Sequence, residues 1–195
     1  MLISNATTIF FDFDGVIKDS VRVKSEAFEK LFSSFGDKAS KKVRRHHESN
    51  GGMSRFEKIP IYLEWVNLPS TPIVVGKFSN EFSKLVMQKV IDSEWVPGVL
   101  NFIENNYKIK NLFIVTATPQ SEIEEIISRI GIAKCFKKII GSPTNKSDAV
   151  SSIVDKFNIN INKSIMIGDS ITDHKAATDN NISFILRKTP LNYHL

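Results

Sequence analysis

Apolar residues recur along this chain in two rhythms. The first is the short unbroken run: Thr7 to Phe13, Asn111 to Val115, Ser164 to Ile167 and, more weakly, Ile182 to Leu186. β-Branched and aromatic residues fill these runs, and the first stops at Gly15, so they predict buried strands. Strands without polar alternation belong to a parallel sheet covered on both faces. The second rhythm is helical. Pro119 to Ile130 opens on proline and ends at Gly131, and Ser147 to Phe157 carries Val150, Ile153, Val154 and Phe157 at helical spacing. Strands alternating with helices predict an α/β fold, a Rossmann-like parallel sheet core with helices on both faces.

One stretch departs from the alternation. From Lys18 to Glu94 the patterns are helical, with no convincing strand pair. Val23 to Phe35 places Phe28, Leu31, Phe32 and Phe35 on one face, and Phe56 to Trp65 and Ile73 to Ile91 are further helices. The α/β pattern resumes at Trp95-Val96-Pro97-Gly98. The predicted organisation is a core of residues 1–17 and 95–195, with a small α-helical cap, residues 18–94, inserted after the first strand.

Composition adds limits. The 195 residues are 42% hydrophobic and 24% charged, the balance of a folded domain with room for a small insertion. The net charge is +5, and its cluster at Lys41, Lys42, Arg44 and Arg45 has no interleaved aromatics. It reads as a solvated helix face, so no nucleic-acid partner is expected. Cys135 is the only cysteine, which excludes an intrachain disulfide; among Ile132, Phe136 and Ile139 it reads as a small buried apolar residue. The N-terminus lacks a basic start, and Asp12 interrupts its apolar run, unlike a secretory signal. No window approaches the ~20 apolar residues of a membrane helix. The expectation is a cytoplasmic protein without a membrane partner.

The candidate chemistry lies at predicted strand ends. Asp12 and Asp14 flank Phe13 and precede Gly15. Ligands of parallel sheets bind at carboxyl ends of strands, and two adjacent carboxylates ionise together only beside a cation or strong donors. An ordinary Asp-Gly turn is the plainer alternative. Asp169 follows a later strand, and Asp173 falls near the start of the next helix, where a capping role competes. Thr116, followed by Ala117, ends a strand before a helix, a place for a phosphoryl oxygen or for an ordinary cap. Lys146 begins a helix, where the dipole disfavours a cation, which suggests another use.

The order Asp-x-Asp-Gly, Thr, Lys, Gly-Asp-x-x-x-Asp resembles the haloacid dehalogenase superfamily of phosphohydrolases. Asp12 to Ser20 looks like its first motif, Thr116 matches the second, Lys146 the third, and Asp169 with Asp173 the fourth. The helical stretch resembles the cap of the phosphoglycolate phosphatase and β-phosphoglucomutase branch. The resemblance implies Mg²⁺ as cofactor and Asp12 as a nucleophile that forms an aspartyl-phosphate. It implies Asp14 as general acid and then base. The Asp12 carboxylate, the Asp14 backbone carbonyl and Asp169 would hold the metal, with Asp173 supporting its shell. Thr116, Ala117 and Lys146 would hold the phosphoryl group. Gly52 and Arg55, in a cap loop after His46 and His47, would meet the rest of the substrate, with Arg55 in solvent as the alternative. The two histidines read as surface residues, and zinc is not expected without paired cysteines.

The expected function is Mg²⁺-dependent hydrolysis of a small phosphorylated metabolite, a phosphosugar or phosphorylated acid. A sugar-phosphate mutase shares every core residue named and stays open. A dehalogenase lacks the second aspartate, so Asp14 argues against it. A non-catalytic binding protein is the remaining rival. A monomer or weak homodimer is expected.

Overall fold

A computed structural model describes residues 3–189, 191 and 192 of the chain. Five parallel strands form one sheet: β1 (Thr8–Phe11), β2 (Asn111–Pro119), β3 (Lys138–Ser142), β4 (Ser164–Gly168) and β5 (Ser183–Leu186). Their order is β3-β2-β1-β4-β5, so β1 is central and the winding reverses between β1 and β4. Thr8 pairs with Asn111 on one side and Ser164 on the other, and the register runs on to Phe11 opposite Ile114 and Ile167.

The helices are α1 (Val21–Leu31), α2 (Asp37–Ser49), α3 (Arg55–Trp65), α4 (Pro72–Asp92), α5 (Val99–Asn106), α6 (Gln120–Arg129), α7 (Lys146–Lys156) and α8 (Ile171–Asp179). Strand alternation divides the core. Ile9 and Phe11 pack with Ile103 of α5 and with Ile123, Ile126 and Ile127 of α6. Phe10 faces the other layer, with Val150 and Ile153 of α7 and Ala176 and Ala177 of α8. Both faces of β1 are buried, which explains its unbroken apolar run.

Helices α1 to α4 form one packed group. Phe28 stacks near Phe82 with ring centroids 4.0 Å apart and meets Tyr62 at 5.5 Å, while Phe32 contacts Tyr62 and Phe78. The chain enters and leaves this group side by side: the Asp19 amide donates to Glu94 at 2.8 Å, and the Val96 amide to Ile17 at 3.0 Å. No helix among the described residues is long and apolar enough to cross a membrane.

Strand β3 and helices α2 and α5 escaped the sequence pattern. Strand β3 has only Ile139 and Ile140 as apolar residues and sits at the sheet edge. Helix α2 is strongly polar, with Val43 as its apolar anchor. Its basic cluster is only partly solvated: Arg44 bonds Glu29 and Glu48, and the Lys42 ammonium lies 3.8 Å from the Trp65 ring centre.

Candidate active site

The carboxyl ends of β1, β2 and β4 meet where the winding reverses, the usual ligand crevice of such sheets. Asp12 leaves β1 there, buried. Its Oδ1 accepts the Phe13 amide at 2.7 Å, and its Oδ2 lies 2.9 Å from Lys146 Nζ. Lys146 opens α7 behind the Asn145 cap, and its ammonium also bonds Asp173 Oδ1 at 2.6 Å. Two buried carboxylates offset the unfavourable helix-dipole position of this lysine. Burial opposes the Lys146 charge, but Asp12 and Asp173 outweigh it and raise its pKa.

Burial first, then Asp173 and Asp14, push the Asp12 carboxyl up to about 7 against the pull of Lys146. Burial and the charge of Asp12 push Asp169 up to about 8. Oxygens of Asp12, Asp169 and Asp173 lie within 4.8 Å of one another. An all-oxygen donor set short of positive charge fits Mg²⁺, which takes oxygen ligands and binds through one or two carboxylates. Asp173 is the most satisfied of the three. Its Oδ2 accepts the Ser170 amide and hydroxyl in a capping box, so its place suits support of the shell. Gly15, at φ +75°, brings the backbone against Asp169; a Cβ there would sit 2.3 Å from Asp169 Oδ2. Asn192 donates to the Asp169 carbonyl at 2.6 Å and braces that loop.

Asp14 is held from three sides. Ser20 donates to its Oδ1 at 2.6 Å, Thr118 to its Oδ2 at 3.1 Å, and the Lys24 ammonium pairs with Oδ2. Burial disfavours the charge of Asp14, but Lys24 and the two hydroxyls win and hold the carboxyl below its usual range. Thr116 is buried beside it and accepts the Thr118 amide through Oγ1 at 3.3 Å. Strand β2 runs past Thr116 to Pro119, with an irregular register between Val115 and Pro119, the kind of bulge that re-aims side chains at a site. Asp12, Asp14, Thr116, Ala117, Lys146 and Asp169 all line one cavity of about 60 Å³, which residues of α1, α3 and the Gly51-Gly52 turn line as well.

Residues 9–186 match the family model for haloacid dehalogenase-like hydrolases. The chain belongs to that family. A curated relative is the phosphorylated carbohydrates phosphatase of Thermotoga maritima, 25% identical over 177 residues, which cover 87% of this chain and 79% of the relative. Among solved structures, CbbY from Rhodobacter sphaeroides in complex with phosphate superposes with a TM-score of 0.76 at 15% identity, over 97% of this chain and 89% of the other. A haloacid dehalogenase-like family hydrolase from Streptococcus pneumoniae gives 0.68 at 19% identity, over 94% and 85%. These two likenesses concern the fold.

Within this hydrolase fold the structure corrects two expectations. Arg55 does not sit in a loop with a free fork. Ser54 caps α3, which makes Arg55 its first residue. Its guanidinium grips Glu122 of α6 through bonds of 2.9 and 2.6 Å, while Ser83 accepts from it at 2.6 Å. A buried guanidinium needs a partner, and Glu122 supplies it across the interface between the helical group and the core. His47 is not a surface residue either: it is buried, with its ring 4.8 Å from Phe28, and His46 is half-buried against Tyr62. Gly52 lines the cavity, and its lack of a side chain lets the turn approach the core, since a Cβ would meet Thr172 Oγ1 at 1.6 Å. Lys24, Ser20, Thr118 and Glu122 were missed. Ser20 closes the first motif but had no role assigned, and Lys24 lies four residues beyond it; the other two gain meaning only through partners far away in sequence.

The Arg55 geometry makes a prediction. Arg55→Ala leaves Glu122 buried without its cation and should cost about 3–5 kcal/mol of folding free energy. Activity should then fall alike on large and small esters. Replacing both residues by leucine should recover much of the stability in denaturant melts. An unchanged melting midpoint for Arg55→Ala would refute this role.

Proposed function

We propose that this hydrolase is a Mg²⁺-dependent phosphatase of small phosphorylated molecules, working through a phosphorylated Asp12. The observation that carries the reading is the buried Asp12 carboxylate at the winding reversal, next to Lys146, Asp14 and Asp169 in one cavity. The name of the curated relative from Thermotoga maritima supports phosphorylated small molecules as the substrate class. The helical segment 18–94 acts as a cap over the site.

In this mechanism the Asp12 carboxylate forms a bond to phosphorus as the bond to the leaving oxygen breaks. Asp14 supplies the proton to the leaving oxygen and then takes one from the water that attacks the Asp12 phosphate, which releases inorganic phosphate and restores Asp12. Lys146 and the Thr116 hydroxyl hold non-bridging oxygens as charge builds on them. Asp12, Asp169 and the Asp14 carbonyl would hold Mg²⁺, with Asp173 behind them. When bound, the metal offsets the repulsion between an anionic nucleophile and an anionic phosphate. Packed aromatics around the cavity keep bulk water out.

Lys24 is a positioning residue for Asp14. It favours the ionised form of Asp14, which water attack needs, over the protonated form that the leaving step uses. Lys24→Met removes that hold, so the Asp14 pKa rises and its base form is lost at a higher pH than before. With saturating Mg²⁺, the acid limb of the turnover profile on p-nitrophenyl phosphate, a leaving group that needs no proton, should move to higher pH. An unmoved limb would show that Lys24 does not govern Asp14.

The reading itself is tested by release of inorganic phosphate from p-nitrophenyl phosphate and a panel of phosphate monoesters with Mg²⁺. Hydrolysis is expected. No release from any ester by folded protein would overturn the assignment.

A further inference from the structure

Lys58 lies one turn beyond Arg55 on α3, is 1% exposed, and lines the same cavity as Asp12 and Thr116. The other cations of this cavity are spoken for. Lys24 pairs with Asp14, Arg55 with Glu122, and Lys146 with Asp12 and Asp173. Among the described residues, Lys58 has no carboxylate within ion-pair distance. Its Nζ is 2.9 Å from His47 Nδ1 and 6.0 Å from the Phe28 ring centre. Glu57, its neighbour on α3, is turned to the Ser54 amide at 3.0 Å.

A buried ammonium without a counter-ion is unfavourable, and His47 cannot supply one. Burial first, then Lys58, hold the His47 pKa well below its usual value, so the imidazole is neutral and serves as an acceptor. Burial and Lys24 push Lys58 itself down to about 7. An anion beside Lys58 would supply the missing countercharge and hold it protonated.

We propose that Lys58 is a specificity-determining residue that takes an anionic group, a carboxylate or a second phosphate, in the leaving portion of the substrate, with His47 steering its ammonium. This rests on the phosphatase reading above and narrows its substrate class. The charge-bearing fork expected of Arg55 is committed to Glu122, and Lys58 is the cation left to meet the substrate.

Three matched esters test it: ethyl phosphate, phosphoglycolate and ethane-1,2-diol bisphosphate. The wild type should favour one or both anionic esters over ethyl phosphate by more than about tenfold in kcat/KM, and the better of the two identifies the anion. Lys58→Met should cut kcat/KM on the favoured ester at least about tenfold more than on ethyl phosphate, chiefly through KM. Lys58→Gln repeats the comparison should the methionine variant not fold. Calorimetric binding of the two anionic esters to Asp12→Asn, with and without the Lys58 change, gives a readout without turnover, where the same loss is expected on at least one of them. Equal treatment of all three esters by the wild type, equal losses on all three, or undiminished binding of both would overturn the inference. Absence of hydrolysis with Lys58-dependent binding intact would instead sink the phosphatase reading alone.

Discussion

Asp12→Asn should lower turnover by roughly 10⁴-fold or more, because an amide cannot attack phosphorus. The fold should survive. The amide oxygen can still accept from the Phe13 amide, and Lys146 keeps Asp173 at 2.6 Å. The metal-free variant should in fact melt higher than the metal-free wild type at pH 8. The Asp12 carboxyl is raised in the folded state from 3.8 to about 7, so the folded protein binds protons there that the unfolded chain has lost. Stability from this group is therefore present at low pH and falls as pH rises through that window, and the neutral amide escapes the loss. Activity above a tenth of wild type in a clean preparation would remove Asp12 as nucleophile. A collapsed melting profile would show that its charge is structural.

Removal of divalent cations should abolish activity, and Mg²⁺ should restore it. Asp12, Asp169 and Asp173 converge within 4.8 Å, while among the described residues Lys146 is the one ammonium bonded to any of them. Burial and mutual repulsion raise the Asp169 carboxyl to about 8, a cost that a divalent cation relieves. Mg²⁺ should accordingly raise the melting temperature of the wild type, a readout independent of turnover. Asp169→Ala should remove most of that rise and increase the Mg²⁺ needed for half-maximal activity by at least about tenfold. Ca²⁺ should inhibit, since its looser coordination misplaces the nucleophile. Full activity in excess chelator would contradict the metal assignment.

The two corrections share a cause. Arg55 and His47 stand within one stretch, His46 to Arg55, which the family resemblance implied to be a cap loop meeting the substrate. In the structure the loop is short, because Ser54 and Glu57 form a capping box that starts α3 at Arg55. That signal, Ser-x-x-Glu, was present in the sequence. The partner of Arg55 was not: Glu122 lies 67 residues away and reads locally as an ordinary first-turn acid of α6. Likewise Thr118 joins Lys24 across 94 residues, and nothing near either one announces it.

Sequence alone determined the parallel sheet, the helical stretch after its first strand, the strand-end positions of Asp12, Asp14 and Asp169, and the helix start at Lys146. These follow from local pattern: unbroken apolar runs make buried strands, and polar residues just past them fall at the ligand crevice. Tertiary packing decided which charges are spent and which remain. It paired Lys24 with Asp14 and Arg55 with Glu122, sealed His47 beneath Phe28, and left Lys58 in the cavity without a carboxylate. A side chain's charge is written in the sequence, but its countercharge is set by which helices pack together, and burial makes that pairing decisive.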